Sequence, residues 1–82
     1  MFVEVRLFAM LRERAGRDTI SVEVPDGGTV RDAIAAVGGE CGLGELIAAM
    51  PVVMAVNREY ADEHQALAAG DELALIPPVS GG

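Results

Sequence analysis

Three groups in this 82-residue chain invite a chemical reading: the single cysteine Cys41, the single histidine His64 and the carboxyl group of Gly82. A nucleophilic cysteine needs a base or a helix N-terminus to lower its pKa. His64 lies in a different stretch, beside Asp62 and Glu63, so Cys41 reads as an incidental thiol. One cysteine and one histidine also lack any recognisable metal-ligand spacing. The glycines around Cys41, in Gly39-Glu40-Cys41-Gly42-Leu43-Gly44, do not follow a strand as a dinucleotide fingerprint requires. Glu59, Asp62 and Glu63 read as a solvated acidic loop. No set of internal side chains is arranged for catalysis, which leaves the carboxyl.

That carboxyl ends the sequence Pro77-Pro78-Val79-Ser80-Gly81-Gly82. Terminal glycines bury nothing and lose the most backbone entropy on ordering, so they do not help folding. Without a Cβ, however, Gly81 and Gly82 can thread a narrow channel and bring the carboxyl into a partner's active site. Pro77 and Pro78 fix φ and favour an extended start. The six residues could reach about 20 Å at roughly 3.3 Å each. A frayed terminus is the bland alternative. A terminal carboxylate, with a pKa of roughly 3.3, is ionised at neutral pH and a poor electrophile. It must first be activated, most simply as a mixed anhydride with AMP. A sulfur nucleophile would then give a thiocarboxylate, and an amine an amide. Either route implies a separate ATP-using enzyme whose substrate is this chain.

Composition narrows the classes. Hydrophobic content of 51% excludes a disordered chain, and the length suits one domain of modest stability. Residues 1–76 read as that domain and 77–82 as its tail. No apolar run approaches the roughly 18 residues of a membrane helix, and no signal peptide is expected from Met1-Phe2-Val3-Glu4-Val5-Arg6. A single cysteine excludes an internal disulfide and fits a reducing cytoplasm. Thirteen acids against six bases give a net charge of −7, which makes nucleic-acid binding a poor fit. The same charge suits a transient partner with a basic docking face, mainly by speeding encounter. All six bases are arginine, so P-loop and Schiff-base chemistry are excluded.

The elements that must position the tail follow from periodicity. Phe2–Phe8 alternates with Val3, Val5 and Leu7 on one side, and Thr19–Val24 with Ile20, Val22 and Val24 inward. Between them Ala9 to Ala15 is rich in helix formers, with Gly16 placed as its C-cap. Thr29 is a good N-cap, with Asp32 approximating a capping box, and Val30, Ala33, Ile34 and Val37 mark an amphipathic helix. Gly38-Gly39 is expected to end it. Leu43 to Met50 suggests another turn or two of helix. Val52–Asn57 reads as a buried strand left through a turn at Asn57-Arg58-Glu59, and Glu72–Ile76 as the last strand after the turn Gly70-Asp71. The economical fold is α+β: a sheet of about four strands with one main helix across it.

Read end to end, the chain resembles the ubiquitin-like β-grasp sulfur carriers, in the branch of the molybdopterin synthase small subunits. The resemblance is carried by Val5–Glu13, Val56-Asn57-Arg58-Glu59-Tyr60, Gly70–Leu75 and Pro77–Gly82. It departs at Ile76, where the family often has an aromatic residue. The resemblance implies that the last strand lies beside the first and parallel to it, in the centre of a mixed sheet of about four to five strands. It implies that an E1-like adenylyltransferase uses ATP to activate Gly82, with no cofactor bound to this chain. A sulfur-donor protein then supplies a thiocarboxylate. The tail would insert into the large catalytic subunit of a heterotetrameric synthase and pass sulfur to cyclic pyranopterin monophosphate. Gly81 would let the backbone thread, while Ser80 and Val79 line the passage. Phe8, Tyr60 and Ile76 would form an apolar docking patch, with Arg12 as a polar contact. The competing expectation is that Phe8 and Ile76 pack under the short helices as a minor core. Rival functions are a carrier for thiamine or cysteine synthesis, a modifier joined through Gly82 to target lysines, or an interaction domain whose glycines do nothing.

Overall fold

Alternating apolar residues build the sheet, and most of its buried side chains point to one shared core. The computed structural model describes residues 1–49 and 51–77, with Glu40 and Cys41 described only through their backbone. Strand β1, Phe2–Leu7, buries Val3, Val5 and Leu7. Strand β2, Thr19–Glu23, buries Ile20 and Val22 and pairs antiparallel with β1 from Phe2↔Glu23 to Arg6↔Thr19. Between them helix α1, Ala9–Ala15, drops Leu11 into the core at 0% exposure. Gly16 caps α1 in the left-handed conformation (φ 78°), its N–H donating to the Arg12 carbonyl.

Helix α2, Val30–Cys41, lies across the sheet on Val30, Ala33 and Val37. Its start is capped as the sequence predicts: the Thr29 N–H donates to Asp32 Oδ2 at 2.9 Å. Its end is a correction. The helix does not stop at Gly38-Gly39 but continues to Cys41, with left-handed Gly42 (φ 67°) as its cap. Helix α3, Gly44–Ala49, follows immediately. A Cβ at Gly38 would sit 3.1 Å from the Gly44 Cα, so this glycine lets α3 pack close against α2. That close approach accounts for a helical glycine that costs roughly 1 kcal/mol in propensity.

The chain then returns to the sheet. Strand β3, Val53–Val56, is joined by the two-residue turn Asn57-Arg58 to β4, Glu59–Ala61, a short edge strand where the sequence had suggested only a turn. Strand β5, Glu72–Ile76, runs parallel to β1 from Glu4↔Glu72 to Leu7↔Leu75 and antiparallel to β3 on its other side. The order is β2-β1-β5-β3-β4, so the last strand occupies the centre as expected. This is the β-grasp arrangement.

Helices α1 and α2 contribute to one core cluster, and Leu46 and Ile47 of α3 pack against it. All three helices therefore cover the same face of the sheet. The opposite face is left open where it carries Arg6, Ala55 and Ala74.

Candidate functional site

On that open face the strand register sets four side chains in a row. Tyr60 lies opposite Ala55, Ala55 opposite Ala74, and Ala74 opposite Arg6. The two central alanines are small, so the row sinks in the middle. The result is a groove of about 310 Å3 floored by Ala55 and Ala74. Arg6 and Phe8 stand on one side, Arg58 and Tyr60 on the other, with Glu72 and Ile76 along β5. Tyr60 is 86% exposed, an unusual state for an aromatic ring with no use for its surface.

The structure thus brings together three of the four docking residues read from the sequence: Phe8, Tyr60 and Ile76. Phe8 and Ile76 are half-buried and stand outside the core cluster, against the open face instead of under the helices. Arg12 is placed elsewhere. It lies exposed on α1 and does not line the groove. The polar side chains that do line the groove are ones the sequence reading missed, Arg6, Arg58 and Glu72. Arg6 lies with its guanidinium 5.4 Å over the Phe8 ring and its Nη1 4.0 Å from Glu72 Oε1. A half-exposed pair at that distance contributes little energy, but stacking holds the Phe8 edge in place. The alternation that turns Val5 and Leu7 inward turns Arg6 outward beside Phe8, and that was the available signal.

Arg58 is held differently. Asn57 and Arg58 both have positive φ, 50° and 71°, the conformation of a type I′ hairpin turn. Asn tolerates this region, and here it is fastened. Its Nδ2 donates to Asp71 Oδ1 at 3.0 Å, and its Oδ1 accepts the Glu72 N–H at 3.1 Å. These bonds tie the hairpin to the start of β5. Arg58 occupies the position that favours glycine, at a cost of about 1 kcal/mol. Among the described residues its side chain has no hydrogen bond and no ion pair.

At the other end of the groove Ile76 leads into Pro77. Pro77 is buried, so the folded body includes it and its side chain offers a partner no open surface. The candidates Pro78, Val79, Ser80, Gly81 and Gly82 lie outside the described residues. Five residues can span at most about 17 Å, which sets how far from Pro77 the carboxyl can act.

The remaining candidates stay apart from this face. His64 is exposed after β4, its N–H held by Asp62 Oδ1 at 2.8 Å and its Nε2 3.7 Å from Glu63 Oε1. Cys41 closes α2, with its side chain outside the described residues. Among the described residues no group of three or more His, Cys, Asp or Glu could hold a metal ion. No described helix is long and apolar enough to cross a membrane.

A β-grasp sheet with a largely apolar groove on its open face, in a sequence that ends in two glycines, is the form of a ubiquitin-like carrier. Residues 5–82 match the model of the ThiS family, and the chain belongs to that family of ubiquitin-like sulfur carriers. It is 46% identical to small archaeal modifier protein 1 of Haloferax volcanii, over 98% of this chain and 100% of that one. The crystal structure of that modifier superposes with a TM-score of 0.88 at 39% identity, covering 100% of both chains. The molybdopterin synthase sulfur carrier subunit of Arabidopsis thaliana is 35% identical over 98% of this chain and 82% of that one. A complex of subunits 1 and 2 of the molybdopterin-converting factor from Helicobacter pylori matches with a TM-score of 0.69 at 26% identity, covering 100% of both chains.

Proposed function

We propose that this chain is the sulfur-carrier subunit of a molybdopterin synthase, acting in the cytoplasm. The observation that carries the reading is the groove of Phe8, Tyr60 and Ile76, set one residue before the Pro77–Gly82 tail. The Gly82 carboxyl can reach up to about 17 Å from Pro77, so a partner seated in the groove can receive it in a catalytic pocket near the end of β5. The chain itself is a carrier and not an enzyme. An E1-like adenylyltransferase joins the Gly82 carboxylate to AMP, releasing pyrophosphate from ATP. Sulfide delivered by a donor protein displaces AMP and leaves the thiocarboxylate. In the large catalytic subunit the sulfur passes to cyclic pyranopterin monophosphate, and water restores the Gly82 carboxylate. The likeness to the Arabidopsis carrier and to the Helicobacter two-subunit complex supports this route.

A second reading is favoured by a specific observation, the 46% identity to an archaeal modifier protein. The same adenylated Gly82 would then acylate lysines of target proteins. The mass of the C-terminal tryptic peptide, Glu59–Gly82, from protein made beside its native partners separates the two. That peptide has neither methionine nor cysteine, so oxidation cannot mimic a sulfur-for-oxygen exchange. A thiocarboxylate at Gly82 with no protein conjugates is the expected result. Gly82 found only in amide linkage to lysines elsewhere would sink the synthase reading.

A further inference from the structure

We infer that Arg58 is a specificity-determining residue of the groove, binding a carboxylate that the docking partner presents next to the apolar side chain filling the space between Phe8, Tyr60 and Ile76. The inference rests on the reading that the groove receives the large subunit of a molybdopterin synthase. The first observation is conformational. Arg58 holds a left-handed turn position, φ 71°, where glycine would relieve the backbone. Asn57 beside it is fastened by two side-chain hydrogen bonds, whereas the Arg58 guanidinium meets no partner among the described residues. The fold gains nothing visible from this arginine.

The second observation is charge. The chain has six bases against thirteen acids, yet two of the six, Arg6 and Arg58, stand at this one groove. Arg6 is already engaged with the Phe8 ring and Glu72. Arg58 remains with five donors in a planar fork suited to a carboxylate. With Glu72 also in its lining, the groove carries one positive side chain in excess on a molecule of net charge −7. Long-range attraction draws a basic docking face, but the groove itself selects an acidic group within it. The third observation is continuity: the same groove runs along β5 to Ile76, the residue before Pro77, so a carboxylate bound at Arg58 fixes where the partner sits relative to the end of β5.

The test measures binding of the full-length chain to its cognate large subunit by calorimetry, with thermal unfolding of each variant alongside. Arg58→Gly is expected to unfold at the same or a higher temperature and to bind roughly 10-fold more weakly. Arg58→Glu is expected to bind on the order of 100-fold more weakly, with affinity restored when the contacting acid of the large subunit is changed to arginine. Arg58→Lys should fall between the wild type and Arg58→Gly, because an ammonium lacks the fork. Arg58→Gly and Arg58→Glu binding within twofold of the wild type would overturn the inference while leaving the synthase reading intact. No measurable binding by the wild-type chain would overturn both together.

Discussion

Leu75 and Ile76 are adjacent in β5 and answer to different constraints. Leu75 is 0% exposed in the core, whereas Ile76 faces the groove on the other side of the sheet. Leu75→Ala should cost about 3 kcal/mol in chemical denaturation, the size of a buried leucine truncation that leaves a cavity. Ile76→Ala should cost less than about 1 kcal/mol and instead weaken binding of the large subunit, as should Phe8→Ala. If Ile76→Ala or Phe8→Ala abolished cooperative unfolding, these residues would be core and the docking face would lie elsewhere. The alternation of β1 and β5 put Phe8 and Ile76 on the side opposite Leu7 and Leu75, but left open whether that side was a second, minor core. Arg58 was not legible in the same way, because a turn residue announces neither its φ nor the direction of its side chain.

Among the elements, the helix boundaries record where local preference yields to packing. The N-terminus of α2 could be read directly, since Thr29 and Asp32 satisfy one another within a single turn. Asp32→Ala should therefore lower the unfolding free energy by about 1 kcal/mol in urea titration without altering the fold. An unchanged midpoint would mean that solvent caps the helix equally well. The far end of α2 was misread because Gly38-Gly39 looks like a helix stop. The true reason for Gly38 is a neighbour several residues along, the backbone of Gly44, and proximity of that kind is not written in local spacing. Strand β4 escaped notice for a related reason. Its three residues, Glu59–Ala61, form an edge with little burial, so no apolar alternation marks them. What shows them to be a strand is their pairing with β3, a long-range fact.

At the scale of the molecule, the core is complete before the proposed reactive group begins. The core draws on residues from Val3 to Leu75, and the candidate tail glycines lie beyond the described residues. Deleting Gly81-Gly82 should leave the thermal midpoint within a degree or two of the wild type while abolishing thiocarboxylate formation. A large loss of stability on that deletion would show that the tail belongs to the fold. In the proposed function, groove and carboxyl are two halves of one device, the first giving affinity and the second chemistry.

The central pairing of β1 with β5 also has a mechanical side. The two strands run in the same direction, with rungs from Glu4↔Glu72 to Leu7↔Leu75. A pull applied between Met1 and Pro77 drags them in opposite directions along their length. The load then falls on all the rungs at once, as in a lap joint, instead of opening them singly like a zip. A chain tethered through its tail and tugged from its other end should give way late and abruptly, at a rate set by its unfolding barrier.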